Sequence, residues 1–485
     1  MTKSTGIRAY RKGQRLATAG DHAAAILQFD RAFAENPHLS DALVCKALAL
    51  GELGRPSDAI DALHHAVKLS PDDSIAHGNL GMFLVEIGDT QAAISALKKA
   101  AELDPIDSYA CYALGIALYE IGDIAEAMVS YSEAIRRNPQ YIDALVNLAI
   151  LYRSVGNPAA AIDLLEAVTH IAPEDADGAY LLGNALRDLK RYDDAEHSYR
   201  ESLGLEPDNT RALNNLGLTL LDLERPQEAV LVFRQSLSLA GTDVQIEVNL
   251  GDAMYEAGDT EEALQFLLAA TKRYPNEPQV LRKYGFCLVE EGRYVDAVSS
   301  YAKSLEVEPD NISALWNMGI AYDNLGQFAE AERCYQRALE IDSQDASLLH
   351  ALGVSYSWSG REDEAIELYR RAIAADPTLG IAHCNLGIRL RELKRYDEAI
   401  AHYDMALQCG YDEAGVRYNR GCVYEDLGRI DLAIADWRIA SGKDPQGATG
   451  NLARKALDSI VVLDERLLTE ARSSRLGCQP GLSSG

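Results

Sequence analysis

The stretch that decides the fold runs from Trp316 to Gly326 and reads WNMGIAYDNLG. Ala331, Tyr335 and Ala338 follow it at set intervals. The same frame returns every 34 residues between residues 6 and 447, which makes thirteen consecutive repeats without an insertion. A constant period of this length indicates a solenoid of small helical units, in which each unit packs mainly on its neighbours.

Small residues recur at two places in the repeat. Counted from the first residue of each repeat, position 8 is Gly in eleven repeats and Ala in two, and position 20 is Ala in all thirteen. Glycine inside a helix lowers its stability by about 0.5–1 kcal/mol relative to alanine, so this repetition requires a packing reason. We expect the bulky residue at position 24, such as Tyr335, to fill the space beside them. Proline at position 32 ends most second helices, and Gly-Asp, Gly-Arg, Gly-Asn or Gly-Gln is expected to end each first helix.

These residues and their spacing resemble the tetratricopeptide (TPR) repeat over almost the whole chain. The resemblance implies an all-α, right-handed superhelix whose concave groove is lined by the first helix of each repeat. It assigns thirteen uninterrupted 34-residue helix-turn-helix repeats to residues 6–447. A C-terminal capping helix is predicted for residues 448–472, because apolar residues recur there at helical spacing. These residues are Leu452, Ala456, Ile460, Leu463 and Leu467. Residues 1–5 and the Ser/Gly/Pro-rich residues 473–485 are expected to be disordered.

The first helix carries charge where other repeats carry apolar side chains. Positions 3, 7 and 10 are Arg8, Lys12 and Arg15 in the first repeat, whereas interior repeats have Ala, Leu and Phe or Leu there. Because no earlier repeat covers this face, we interpret it as an N-terminal cap. A basic docking patch is the functional alternative.

Composition limits the class of partner. The formal net charge is −28, which argues against nucleic acid and against an anionic membrane, because both are polyanions. Eight cysteines show no paired spacing and fall mostly on helical core positions, so we expect reduced thiols in a reducing compartment. The start of the chain has no apolar signal region, and a cytoplasmic location is the expectation.

No catalytic motif is recognisable. The ten His show no metal-ligand spacing, and the adjacent His64 and His65 point to different faces of a helix. The chain has no phosphate-binding loop and no G-x-S-x-G stretch. The sequence therefore predicts neither an enzyme, nor a cofactor, nor a metal site.

Binding function is expected on one stripe of each first helix, formed by positions 2, 6, 9 and 13. Position 6 is Asn in seven repeats. We call this set the asparagine row: Asn79, Asn147, Asn215, Asn249, Asn317, Asn385 and Asn419. An amide offers donors and acceptors that match a peptide bond, so the row is predicted to hold an extended main chain. It resembles the asparagine row in the TPR arm of O-GlcNAc transferase, which grips peptide backbone. The alternative is that each Asn bonds locally.

Position 13 carries an acid in nine of the thirteen repeats, although Asp and Glu together are 74 of 485 residues. We call this set the acidic row: Glu52, Glu86, Glu120, Asp188, Asp222, Glu256, Glu290, Glu392 and Asp426. Acids in the last turn of a helix oppose the helix dipole, so their retention suggests another purpose. The row is predicted to attract a Lys- or Arg-bearing segment. Alternatively the acids only solubilise the surface or pair with neighbouring Lys and Arg.

Two further features refine the prediction. Position 9 is mostly apolar, as at Leu48 and Phe286, and is expected to be partly core. Chaperone-tail binding by TPR domains uses Lys, Asn and Arg on three successive first helices, and no run of repeats here reproduces that set. Arg282 and Lys283 are basic, but the repeats that follow lack the Lys/Arg pair.

The sequence thus favours a non-catalytic scaffold that binds an extended, basic polypeptide. Two alternatives stay open: a substrate-recruiting subunit of an enzyme acting in trans, such as a glycosyltransferase, and a structural rod that self-associates.

Overall fold

A computed structural model of the protein describes residues 2–460. This range contains no β-strand, and 26 of its helices pair as thirteen hairpins with the predicted spacing. The all-α tandem repeat expected from the sequence is confirmed. Odd-numbered helices are the first helices of their repeats, and even-numbered helices are the second ones.

The first seven repeats comprise α1 (Thr2–Thr18), α2 (His22–Glu35), α3 (Ser40–Gly51), α4 (Pro56–Leu69), α5 (Ser74–Glu86), α6 (Thr90–Leu103), α7 (Ser108–Glu120), α8 (Ile124–Arg137), α9 (Ile142–Ser154), α10 (Pro158–Ile171), α11 (Ala176–Asp188), α12 (Tyr192–Leu205), α13 (Thr210–Asp222) and α14 (Pro226–Ala240). The remaining six comprise α15 (Val244–Glu256), α16 (Thr260–Arg273), α17 (Pro278–Glu290), α18 (Tyr294–Val307), α19 (Ile312–Asn324), α20 (Phe328–Ile341), α21 (Ala346–Trp358), α22 (Glu362–Ala375), α23 (Gly380–Glu392), α24 (Tyr396–Gln408), α25 (Ala414–Asp426) and α26 (Ile430–Lys443). A further helical segment covers residues 448–460.

The chain divides into two compact units, Met1–Ala253 and Met254–Gly485. In the second unit a continuous cluster of buried side chains runs from Leu264 to Val423. In the first unit smaller clusters succeed one another along the repeats, for example around Leu63 and around Tyr131. Each cluster draws side chains from neighbouring repeats, as a solenoid requires.

Packing explains why a small residue recurs at position 8, although glycine lowers helix stability. A β-carbon added to any of ten of these glycines would lie within 3.0 Å of the residue at position 24 of the same repeat. Gly319 and Tyr335 are one such pair, and Tyr335 is almost fully buried. The two repeats with Ala at position 8, Ala47 and Ala149, carry Leu rather than an aromatic residue at position 24. The two positions therefore share one volume.

The turn between the two helices of a repeat places one residue at positive φ. Ten repeats have glycine there, for example Gly326 at 71°. The other three have Lys190 at 58°, Glu224 at 57° and Lys394 at 59°. The expectation that glycine ends every first helix is therefore wrong at these three turns, where a side chain tolerates left-handed backbone at some energetic cost.

The described residues include parts of both segments that were predicted to cap the array. Helix α1 begins at Thr2, four residues before the predicted start of the first repeat, and Arg8, Lys12 and Arg15 are exposed. In the segment 448–460, Ala453 is buried and packs with Trp437 of α26. Leu452 is 45 % exposed, so it does not belong to the covering face as predicted. Residues 461–472 of the predicted cap and the tail 473–485 lie outside the described residues.

Candidate functional site

The asparagine row lies on the first helices, and its side chains are only partly accessible. Six of the seven are half-buried, and Asn249 is 8 % exposed. In the first unit the row comprises Asn79, Asn147, Asn215 and Asn249, and in the second Asn317, Asn385 and Asn419.

Four of these amides bond to the preceding repeat. The Nδ2 atom of Asn147 donates to the hydroxyl of Tyr112 at 3.5 Å, and that of Asn385 donates to Nε2 of His350 at 2.9 Å. Each of the four has a partner 35 positions earlier, so position 6 of one repeat meets position 5 of the repeat before. Asn215 also bonds to Asn184, 31 positions earlier. Burial lowers the pKa of His350 to about 4, which keeps the imidazole neutral and able to accept this bond.

In the sixth to eighth repeats these bonds join into a chain of amides. Gln245 donates to Asn249, which donates to Oδ1 of Asn214 at 2.9 Å. Asn214 donates to Asn215, whose Nδ2 donates to Oδ1 of Asn184 at 2.7 Å and to the Tyr180 hydroxyl at 3.3 Å. Both N–H groups of Asn215 are thus in use, so this residue keeps little capacity for a peptide main chain.

Two members of the row bond within their own helix instead. Nδ2 of Asn79 donates to the carbonyl of Ile75 at 2.8 Å, and Nδ2 of Asn317 donates to that of Ser313 at 2.9 Å. The residue 35 positions before Asn79 is Val44, which offers no polar atom. Among the described residues nothing bonds to Oδ1 of Asn79 or Asn317. These two amides therefore retain an acceptor and a donor for a ligand.

All nine members of the acidic row are exposed. They form a regular series along each unit: Glu52, Glu86, Glu120, Asp188 and Asp222 in the first, and Glu256, Glu290, Glu392 and Asp426 in the second. Exposure is a requirement for recognising a charged partner, and the whole row meets it.

Arginine neutralises part of the acidic row. Asp188 pairs with Arg153 at 2.7 Å, and Asp222 pairs with Arg187 at 2.9 Å. In the second unit Arg391 donates to Asp426 at 2.8 Å. Each Arg occupies position 12 of the repeat before, so these pairs also span 35 residues. Glu392 pairs with Arg389 of its own helix at 3.1 Å. The alternative interpretation, pairing with neighbouring basic residues, therefore describes these four acids.

The acids of the second to fourth repeats have no such partner. Position 12 of the preceding repeat is Ala17 for Glu52, Gly51 for Glu86 and Val85 for Glu120, and none of these residues carries a charge. Within residues 2–460 no ion pair engages Glu52, Glu86 or Glu120. Within the acidic row of the first unit, the acids without an ion pair thus lie on three consecutive repeats.

The apolar position 9 is mostly half-buried. Leu48 and Ile150 are the more accessible members, at 44 % and 41 % exposed. Met82, Ile116 and Leu218 are half-buried, which agrees with the expected edge of the core.

The described residues hold no group of three or more His, Cys, Asp or Glu side chains placed to bind a metal. The seven cysteines between residues 2 and 460 form no disulfide among themselves, and five of them are buried. Burial raises the pKa of the Cys384 thiol to about 12, so this cysteine stays protonated. No helix in the same range combines the length and apolar composition needed to cross a membrane.

Sequence reasoning missed the residues that occupy the amides and carboxylates of the two rows. Tyr180, Asn184, Asn214 and Arg187 were not singled out, although a scan of residue pairs 35 positions apart would have found Tyr180–Asn215 and Arg187–Asp222. It also missed Gly78 and Ile106, which shape a cavity beside Asn79.

Sequence models described as tetratricopeptide repeat match seven stretches of the chain. These are residues 46–108, 122–185, 180–244, 220–284, 288–353, 344–412 and 414–436. Together they span most of the described repeats. The chain belongs to the tetratricopeptide repeat family. TPR repeats form a generally non-catalytic fold for protein interaction, so membership supports a protein-interaction scaffold.

Three solved structures align with the chain at low identity. Yeast Tom70 is 17 % identical with a TM-score of 0.47, over 91 % of this chain and 99 % of that one. Cut9, from the APC/C hetero-tetramer Cut9–Hcn1, is 16 % identical with a TM-score of 0.42, over 92 % and 95 %. A TPR protein from Parabacteroides merdae is 20 % identical with a TM-score of 0.44, over 51 % and 98 %. At these scores the likenesses do not bear on function. No curated protein sequence matches the chain.

Proposed function

We propose that this TPR chain is a non-catalytic cytoplasmic scaffold that binds an extended polypeptide bearing Lys or Arg along its first helices. The observation that carries the proposal is the acidic row, which is exposed throughout and unpaired in the second to fourth repeats. A net charge of −28 extends the same attraction over the whole molecule.

Each row contributes a different part of recognition. Exposed carboxylates raise the association rate of a basic partner, and salt screens this effect over about 10 Å at moderate ionic strength. Amides with free atoms, such as Asn79 and Asn317, pair with main-chain groups of the partner, and each such bond contributes about 0.5–1.5 kcal/mol. The paired acids Asp188 and Asp222 contribute less, because their Arg partners already satisfy them.

A selection with phage-displayed random dodecapeptides on the immobilised full chain tests the proposal. We expect the enriched peptides to contain an excess of Lys and Arg. The Kd of synthetic copies should then weaken roughly tenfold when Glu52, Glu86 and Glu120 are all changed to Gln, since about 1.4 kcal/mol is a factor of ten. The salt dependence of binding should also become flatter.

A matched variant removes the same charge elsewhere. Changing Asp188, Asp222 and Asp426 to Asn also deletes three acids of the same row, but these are the Arg-paired ones. We expect this variant to bind the peptides with nearly unchanged Kd. Enriched peptides without an excess of basic residues, or equal weakening by both triple variants, would refute the proposal.

A further inference from the structure

A cavity of about 390 Å³ opens beside the asparagine row in the first unit, between the third and fourth repeats. Helix α5 supplies Ile75, Gly78 and Asn79 to its wall, and the turn before α7 supplies Ile106 and Asp107. Tyr109, at the start of α7, also lines the cavity. The cavity thus lies at the N-terminal end of the predicted binding stripe, where Asn79 keeps a free Oδ1.

The cavity exists because position 5 of the third repeat is glycine. The equivalent residues in other repeats include Tyr112, Tyr180 and Trp316. A β-carbon added to Gly78 would meet only the β-carbon of Ala100, at 3.9 Å. The space that an aromatic ring fills in those repeats is therefore open in the third.

The mouth of the cavity exposes unusual apolar surface. Ile106 is 84 % exposed, Ile75 is 63 % exposed and Tyr109 is 39 % exposed. Ile106 occupies position 33, which is polar in the other repeats, for example Gln140 and Gln344. Three neighbouring apolar side chains around a concavity are typical of a protein-interaction site.

The turn that presents Ile106 is held in place from behind. The guanidinium of Arg137 donates to the carbonyls of Asp104 and Asp107 at 3.0 and 2.8 Å, and its side chain is 9 % exposed. Glu133 accepts from Arg137 at 2.8 Å, and hydrogen bonds from Arg136 and Arg137 lower the pKa of this carboxyl to about 2. A turn fixed in this way binds a ligand without the entropy cost of ordering it.

An unpaired carboxylate, Glu86, lies on the same face of α5. Ile75, Asn79 and Glu86 occupy positions 2, 6 and 13 of one helix. Eleven residues at about 1.5 Å each separate Ile75 from Glu86 by roughly 16 Å, which is about five residues of extended chain. Glu86 is flanked in the neighbouring repeats by the equally unpaired Glu52 and Glu120.

From this arrangement we propose that the cavity is an anchor site for one aliphatic side chain of the bound polypeptide. The partner segment carries Leu, Ile, Val or Met in the cavity and a Lys or Arg four to six residues away, against Glu86 and its neighbours. This proposal rests on the proposed function, and it names the residues that discriminate among basic polypeptides. Charge complementarity fixes the occupant as a basic polypeptide rather than an acidic one.

Two substitutions alter the anchor without touching the acidic row. Gly78→Tyr places in the cavity the ring that Tyr112 supplies one repeat later, and Ile106→Gln removes the most exposed apolar side chain. Gly442→Tyr is the matched control, because Gly442 is an exposed helical glycine with nothing within 4 Å of an added β-carbon. Thermal melts of the three variants identify any loss of folding.

The test uses dodecapeptides selected by phage display on the full chain, with Kd measured by fluorescence anisotropy. We expect the selected peptides to share an aliphatic residue four to six positions from a Lys or Arg. Gly78→Tyr and Ile106→Gln should each weaken binding roughly tenfold, as expected for losing much of one buried aliphatic contact. Gly442→Tyr should bind like the wild type.

The outcomes separate this inference from the broader function. Basic peptides that bind Gly78→Tyr and Ile106→Gln with wild-type Kd would leave the scaffold function standing and overturn the anchor. A selection that enriches no peptide would overturn both. Sedimentation analysis tests whether a second copy of the chain occupies the cavity instead. If the wild type is a dimer and Ile106→Gln dissociates it, the polypeptide anchor would also be overturned.

Discussion

A β-carbon added to Gly217 would lie 2.6 Å from Cε1 of Phe233, closer than two carbon atoms approach without a shift. Phe233 is fully buried, so its ring has no room to move. We expect Gly217→Ala to lower the free energy of unfolding by about 1–3 kcal/mol, in spite of the better helix propensity of alanine. Urea unfolding followed by circular dichroism measures this loss.

A second substitution shows whether the ring is the cause. Repeats with Ala at position 8 carry Leu at position 24, as in the pair Ala149 and Leu165. Gly217→Ala combined with Phe233→Leu should therefore be more stable than the sum of the single effects predicts, by at least about 0.5 kcal/mol. Gly204→Ala is the control, since nothing lies within 4 Å of its added β-carbon. Simple additivity would contradict the shared-volume explanation.

Glycine should stabilise the turns that lack it. Glu224 and Lys394 hold φ near 57° and 59°, a conformation that costs a non-glycine residue about 1 kcal/mol. We expect Glu224→Gly and Lys394→Gly each to raise the free energy of unfolding by up to about 1 kcal/mol. Gly326→Ala is the reverse change at an equivalent turn and should lower it by a similar amount. Glycine variants that unfold at lower urea than the wild type would refute this account.

Loss of the hydroxyl should change the stability of the protein differently at two buried tyrosines. Tyr335 donates to Oδ2 of Asp323 at 2.9 Å, and Asp323 is 6 % exposed. Tyr335→Phe leaves this carboxylate short of a donor and should cost about 1.5–3 kcal/mol. Tyr403 is equally buried, but its hydroxyl has no hydrogen-bond partner among the described residues. Tyr403→Phe should therefore leave the free energy of unfolding unchanged or raise it. Thermal melts of both variants and the wild type measure the two effects.

Acid should destabilise the second unit through His350. Its pKa of about 4 in the folded chain lies below the ordinary value of 6.5. The stability linked to the neutral ring is present above pH 6.5 and is lost as the pH falls towards 4, by at most about 3 kcal/mol. His350→Gln should reduce this loss between those pH values, as measured by urea midpoints. An unchanged pH profile would show that other groups account for it.

The asparagine row should not behave uniformly in stability measurements. Asn249 is 8 % exposed and links Gln245 to Asn214, so Asn249→Ala should cost about 1 kcal/mol or more. Asn317 bonds only to its own helix, and Asn317→Ala should leave stability within about 0.5 kcal/mol of the wild type. Equal melting temperatures for the two variants would contradict the structural role assigned to Asn249.

The fold could be predicted from the sequence because one period carries most of the information. Each repeat places small residues, a bulky residue and a turn in the same frame, so Gly319, Tyr335 and Gly326 took their predicted roles. The three turns without glycine escaped prediction, because their backbone conformation depends on the helices that flank them.

The candidate site could be predicted only in outline. Exposure of the acidic row followed from helix periodicity, but pairing depends on which residue of the neighbouring repeat lies opposite. Asp222 meets Arg187, whereas Glu86 meets no cation within residues 2–460. The capacity of an amide for a ligand also depends on that neighbour, as the difference between Asn215 and Asn79 shows.

The constant offset of 35 residues between polar partners has a consequence for how the array can change in length. Excising residues 176–209 would preserve the frame and bring Arg153 opposite Asp222, so the ion pair would be rebuilt. The same excision would set Asn215 against Val146, and its bond to the Tyr180 hydroxyl would have no replacement. The repeats are therefore not interchangeable, because the polar contacts between two neighbours depend on which repeats they are. Duplication or loss of one repeat would keep these contacts at some places in the array and break them at others.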